Sequence, residues 1–168
     1  MSHSDLDALW LMVAPHNPLK EAEYGVSSRD RLLMTERVSR RLAGVETSAF
    51  EFELPRPSYT INTLDALKER FPDDEFVLLI GADNWVVWNS WKEHDRIISD
   101  YGVMIYPRLG YDVIIPDSVS SRVTLVDAPV IEVSSTIVRE RVASGQSIEF
   151  YVPADVALYI ESHGLYKH

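Results

Sequence analysis

The chain has 168 residues, 46% hydrophobic and 25% charged, which is the range of one globular domain able to bury a sizeable core. Its formal charge of -10 argues against nonspecific binding to nucleic acid or to an anionic membrane, both of which need presented Lys and Arg. The lack of cysteine excludes disulfides, thiolate zinc sites and cysteine nucleophiles, and the opening MSHSDLDALWLMVAP has neither a basic leader nor an apolar run long enough to span a membrane, so a cytoplasmic location is expected.

In chain order, Ala8 to Ala14 (ALWLMVA) predicts a strand apolar on both faces, as in a parallel sheet. Ser28 to Leu42 places Leu32, Leu33, Val38 and Leu42 among five arginines, predicting an amphipathic helix with a solvated arginine face, a Ser cap and Gly44 near its end. A second helix is predicted over Thr60 to Phe71, capped by Ser58, with Ile61, Leu64 and Leu67 inward and Pro72 as the stop. Glu75 to Ile80 (EFVLLI) predicts a second covered strand, and Gly102 to Tyr106 and Val123 to Val126 predict two more. Helices follow over Ser135 to Ala143 and from Pro153 to Gly164, the latter with Val156, Leu158, Tyr159 and Ile160 as its apolar residues. Short β-branched runs alternating with helical segments predict a layered α/β fold.

Gly81-Ala82-Asp83 follows the EFVLLI strand, so it lies at the strand's carboxyl end, where open parallel sheets bind ligands. Gly81 allows close backbone approach and Asp83 can accept from ribose hydroxyls; a plain turn and helix cap is the alternative. Ser134 to Arg139 (SSTIVR) brings hydroxyls and free amides to a helix start, with Arg139 one turn on, which suits a phosphate chain; an ordinary cap is again the alternative. Trp85, Trp88 and Trp91 recur every third residue, as on one face of a helix or on 3₁₀ turns. Core packing accounts for most of them, and Trp91 is the candidate to stack on a flat heteroaromatic ligand. The PHNPLK loop containing His16, Asn17 and Lys20 follows the first strand, also at the presumed ligand edge. No two histidines have ligand spacing, so no metal cluster is expected.

Taken together, PHNPLK, LPRPSYTINTL, FVLLIGADNW with NSWK, YPRLGY, VSSTIVRERVASG and YVPADVALYIESHGLY resemble bacterial nicotinate-nucleotide adenylyltransferase, a nucleotidyltransferase of NAD biosynthesis. SSTxxR alone marks only the wider superfamily; PSYTxxTL, GADxW and the VPxxVxxYIxxHGLY tail narrow it. The resemblance implies a Rossmann-like parallel sheet with helices on both faces. It also implies transfer of AMP from ATP, accompanied by Mg2+, to the 5′-phosphate of nicotinate mononucleotide, giving deamido-NAD and pyrophosphate. It implies further that Ser135, Thr136 and Arg139 contact the ATP phosphates and serve catalysis, with Gly81 and Asp83 at the ribose region. Asn17, Lys20, Thr60, Trp91, Lys92 and Arg108 would line the nicotinate mononucleotide side, with Trp91 stacking on the pyridine.

The family opens with a strand and a Gly-rich GxFxPxHxGH segment whose two histidines bind the ATP phosphates, and nothing before Asp5 supplies either. The expectation is therefore a single nucleotidyltransferase domain over residues 1–168, amino-terminally incomplete by roughly 25 residues, with the first strand missing. A start assigned too far downstream is the preferred reading. The exposed strand edges would favour aggregation, swapping or homo-oligomers, and activity of this form is in question. Two other readings remain open: an adenylyltransferase for another phosphate acceptor such as phosphopantetheine, and a noncatalytic nucleotide-binding protein.

Overall fold

In the computed structural model, strands and helices alternate and every strand pair is parallel, the α/β class expected. The structure describes residues 6–15 and 26–167, so the PHNPLK loop from His16 onward, with Asn17 and Lys20, lies outside the described residues. The chain divides into two compact units, one formed by Met1–Pro55 with Val133–His168 and the other by Arg56–Glu132.

In the first unit, β1 (Leu9–Met12) pairs in parallel with β2 (Val45–Ser48), Leu9 opposite Val45. All four β1 residues are half-buried rather than covered on both faces, because β2 is the only strand paired with it among the described residues. β2 is a four-residue VETS run without an apolar stripe, so no local pattern marks it as a strand. It is held by its ladder, and the Thr47 hydroxyl donates to Ser39 Oγ over 2.8 Å. Gly44, at φ +74°, makes the turn into β2, and its carbonyl accepts from the Leu9 N–H.

Helix α1 (Ser28–Ser39) stops earlier than its apolar spacing suggests, leaving Leu42 half exposed. Its arginine face is not simply solvated. Arg37 lies 4.3 Å over the Tyr159 ring, Arg41 pairs with Asp155 at 2.9 Å, and Arg31 Nη2 is buried. Later in this unit come α5 (Ser135–Ala143), with the predicted bounds, and α6 (Ala154–Ser162). Val26, Val138, Ile148, Val156, Tyr159, Ile160 and Leu165 form the apolar core, whereas Leu158 points outward.

Asp30 ties this helical core together. Its carboxylate accepts from the Ser27 hydroxyl at 2.6 Å and from the Tyr159 hydroxyl at 2.7 Å. The Ser27 bond is the chief cause that lowers the Asp30 pKa, partial burial opposes it, and the Tyr159 bond adds to the lowering. A carboxylate with a depressed folded pKa contributes stability above its unfolded value, near 3.9, and that contribution is lost as pH falls through the folded value. Thermal melting from pH 6 down to 2 is therefore expected to show an acid-induced decline that is shallower in Asp30→Asn. Parallel curves for the two proteins would count against this role.

The second unit holds a three-stranded sheet in the order β3 (Leu78–Gly81), β4 (Val103–Tyr106), β5 (Val123–Leu125). β3 starts three residues later than its apolar run and pairs only with β4 among the described residues; Leu79 on one face is 39% exposed, while Ile80 on the other is buried. Helix α2 (Thr60–Arg70) turns Ile61, Leu64 and Leu67 inward as predicted. Its cap is Tyr59 and not Ser58: Tyr59 is the last extended residue and its carbonyl accepts from the Thr63 N–H, so Ser58 is one position too early. Two short helices, α3 (Ala82–Val86) and α4 (His94–Asp100), complete the unit around a core containing Ile61, Trp88, Ile97, Val103 and Ile105.

Candidate functional site

In the second unit the parallel register brings the carboxyl ends of β3 and β4 side by side, Gly81 opposite Tyr106. Gly81 ends β3 and caps α3, so GAD sits at the strand end as its position predicts. Its φ of -76° is ordinary, and the Asp83 and Arg108 side chains crowd its α-carbon. A Cβ there would collide with Asp83 Oδ1 and come within 3.0 Å of Arg108 Nε. Asp83 lies in the first turn of α3 and Arg108 follows β4 closely, and the two pair at 3.2 Å through Oδ2 and Nη1. Asp83 Oδ1 is buried with no hydrogen-bond partner. One oxygen of this carboxylate is thus paired with Arg108, while the other makes no hydrogen bond to protein. A ribose hydroxyl is a donor of the required kind.

The tryptophan rings lie against one another in a row, the first pair stacked and the second tilted. Trp85 and Trp88 have ring centroids 5.6 Å apart, Trp88 and Trp91 5.2 Å. Trp88 is the core member, 4% exposed, with its Nε1 buried and unpartnered, and the edge-on His94 ring flanks it. Trp85 donates its indole N–H to the Ile114 carbonyl at 3.0 Å. Trp91, half-buried at the end of the 3₁₀ turn Trp88–Ser90, is backed by Trp88.

Lys92, next in the chain, is exposed, and its ammonium lies 4.5 Å over the Tyr59 ring. That contact brings the Trp91-Lys92 segment to the start of α2, where Thr60 sits. Behind it, Glu93 takes the left-handed conformation at φ 52°, an unusual one for a residue with a side chain. Arg96 holds it in place by binding Glu93 (3.1 Å), Asp65 (2.7 Å) and Asp100 (3.0 Å), contacts that raise the Arg96 pKa. Asp65 also accepts from the Tyr101 hydroxyl, whose pKa burial pushes up to about 12, with the Asp65 bond adding to it.

In the first unit, Ser134 caps α5 by accepting from the Ile137 N–H at 3.3 Å. Ser135 and Thr136 are exposed, and helix geometry leaves their amides without intrahelical acceptors. Arg139 Nη2 donates to Thr136 Oγ1 at 3.1 Å, so hydroxyl and guanidinium are adjacent at the positive end of the helix. Burial raises the Tyr166 pKa, while the charges of Arg139 and Arg31 act against that rise.

The structure thus joins Gly81, Asp83 and Arg108, sets Lys92 beside the Thr60 helix start, and joins Thr136 to Arg139. The sequence reading did not single out Tyr59 or Trp88 as site residues. The signal for Tyr59 was its place immediately before Thr60 in PSYT; Trp88 carried only its spacing.

The cytidylyltransferase-like family matches residues 1–141 of this chain. A Flavobacterium johnsoniae protein named "Probable nicotinate-nucleotide adenylyltransferase" is 34% identical over 168 residues, covering 98% of this chain and 86% of that protein. A Bacteroides fragilis protein of the same name is 41% identical over 147 residues, with 88% and 73% covered. Among solved structures, Plasmodium falciparum nicotinic acid mononucleotide adenylyltransferase complexed with NaAD matches with a TM-score of 0.76 at 17% identity, covering 96% of this chain and 83% of that one, which shows a shared Rossmann-like fold. With two relatives this similar over most of their length, the chain belongs to the nicotinate-nucleotide adenylyltransferase family.

Proposed function

We propose that this chain transfers the adenylyl group of MgATP to nicotinate mononucleotide. An oxygen of the mononucleotide 5′-phosphate bonds to the α-phosphorus of ATP, the α-phosphorus to β-bridging oxygen bond breaks, and pyrophosphate leaves with that bond's electrons. The products are deamido-NAD and pyrophosphate. The nucleophile is already an anion, so alignment and charge stabilisation suffice and no covalent enzyme intermediate is needed. Ser135, Thr136 and Arg139 are assigned to the ATP phosphates, and Gly81 and Asp83 to the ribose region. Thr60, Trp91, Lys92 and Arg108 are assigned to the mononucleotide, together with Asn17 and Lys20 from the loop outside the described residues.

The observation that carries this reading is the Gly81-Asp83-Arg108 arrangement at the ends of two parallel strands, with the Asp83 and Arg108 side chains lying close against the Gly81 backbone and Asp83 Oδ1 without a protein partner. Among the described residues no group of three His, Cys, Asp or Glu could hold a metal ion. A cytoplasmic location is part of the proposal, as both substrates are charged phosphates that do not cross membranes unaided.

Tryptophan fluorescence titration with nicotinate mononucleotide tests it. Saturable binding is expected, weakened in Trp91→Ala by about 1–3 kcal/mol, the cost of losing an aromatic stacking partner. Unchanged affinity in that variant would make Trp91 a packing residue, and absence of binding by the unsubstituted protein would remove the substrate assignment.

A further inference from the structure

We propose that Arg96 is a positioning residue for mononucleotide binding: by joining α2 to the corner at Glu93, it fixes the backbone that carries the Trp91 ring. This deepens the proposed function and rests on its assignment of Trp91 as a surface on which the pyridine stacks. Arg96 meets no substrate and acts through Trp91.

A ring is a good stacking surface when its backbone is held on both sides, because binding then need not freeze the segment that bears it. On the amino side the Trp91 N–H donates to the Trp88 carbonyl at 2.9 Å, closing the 3₁₀ turn, and the buried Trp88 ring lies 5.2 Å from the Trp91 ring. On the carboxyl side Trp91 is extended, at φ -77° and ψ 142°, and two residues later Glu93 turns left-handed, at φ 52° and ψ 39°. A residue with a Cβ keeps that conformation only where its surroundings hold it, and a return to negative φ would redirect the chain between Trp91 and α4. The Glu93 carbonyl accepts from the Ile97 N–H at 3.0 Å, which ties the corner to α4 alone.

Arg96 ties it to α2 as well, with all three guanidinium nitrogens engaged. Nη1 donates to Glu93 at 3.1 Å, Nη2 to Asp65 on α2 at 2.7 Å, and Nε to Asp100 at the end of α4 at 3.0 Å. Asp65 is fixed in turn by the Tyr101 hydroxyl, which donates to the same oxygen at 2.7 Å. Each pair is partly exposed and weak alone, but one planar fork on three carboxylates imposes a geometry that an isolated pair does not. Without the guanidinium, three like charges would converge uncompensated and push the corner open.

Calorimetric titration with nicotinate mononucleotide and, separately, with ATP tests this. Arg96→Met is expected to weaken the mononucleotide about three- to ten-fold, within the range of coupling inside one hydrogen-bonded network, and to leave ATP within about two-fold. Arg96→Lys, which keeps the charge without the fork, should recover part of the loss. Adding Arg96→Met to Trp91→Ala should cost no further mononucleotide affinity, because its effect passes through the ring already removed. Additive losses, or equal loss of mononucleotide and ATP, would make Arg96 a residue of general stability and overturn the inference while leaving the substrate assignment intact. If Arg96→Met does not fold, Arg96→Lys alone and combined with Trp91→Ala gives the same comparison. Unchanged mononucleotide affinity in Trp91→Ala would overturn the stacking assignment and this inference with it.

Discussion

Replacing Arg139 by Ala is expected to cut ATP-dependent formation of deamido-NAD by about 10²–10³-fold, the usual loss when one charge-stabilising donor is removed from a transferring group. Nicotinate mononucleotide affinity should stay within about two-fold, because Arg139 is assigned to the ATP phosphates whereas Thr60, Trp91, Lys92 and Arg108 are assigned to the mononucleotide. The argument begins at the α5 start. Ser134 uses its own hydroxyl on the Ile137 N–H, which leaves the Ser135 and Thr136 amides and hydroxyls for an anion. These groups are neutral dipoles, whereas ATP adds developing charge as pyrophosphate departs. Arg139, fixed 3.1 Å from Thr136 Oγ1, is the full positive charge at this helix start. Arg139→Lys should recover only part of the rate, since an ammonium cannot present two parallel N–H groups to phosphate oxygens. The check is steady-state kinetics with ATP varied, beside a separate mononucleotide titration. Equal loss of mononucleotide binding would move Arg139 out of the phosphate role.

The elements most legible in the sequence were those whose apolar residues carry a strong period and a clear stop. α2 shows Ile61, Leu64 and Leu67 on one face ahead of Pro72, and α5 kept its predicted bounds. β2 was illegible because VETS has no apolar stripe; its pairing with β1, which no local pattern encodes, makes it a strand. α4 was missed for a different reason. It begins after Glu93 in the left-handed conformation with no side-chain cap hydrogen bond, so none of the usual cap residues marks its start. The place of GAD at a strand end was readable, because it follows directly on an apolar run. Spacing alone could not rank Trp85, Trp88 and Trp91, which share one interval but end as a carbonyl-bonded ring, a core ring and a half-buried ring. The Lys92–Tyr59 contact was hidden because the two residues lie on separate segments, and only the fold joins them.

The largest stability effect is expected from Ile105→Ala. Ile105 is fully buried at the middle of β4, the central strand of its sheet, opposite Ile80 on β3 and Leu125 on β5. Truncating a buried Ile to Ala removes apolar contact and leaves a cavity that close-packed neighbours fill only in part, at about 2–5 kcal/mol. Against a typical total of about 5–15 kcal/mol this is a large fraction, and it should lower Tm by about 5–15 °C. Ile114→Ala is the matched control: that side chain is 80% exposed and only its carbonyl is engaged, by Trp85, so a change within about 0.5 kcal/mol is expected. Similar melts for the two variants would mean that this sheet is not a cooperative core. The consequence should reach the site as well, because the next ladder pair is Gly81 with Tyr106, and Arg108 follows two residues later. A cavity at Ile105 loosens the strand ends that set Asp83 against Arg108, so ligand affinity should fall with Tm in Ile105→Ala and stay unchanged in the control.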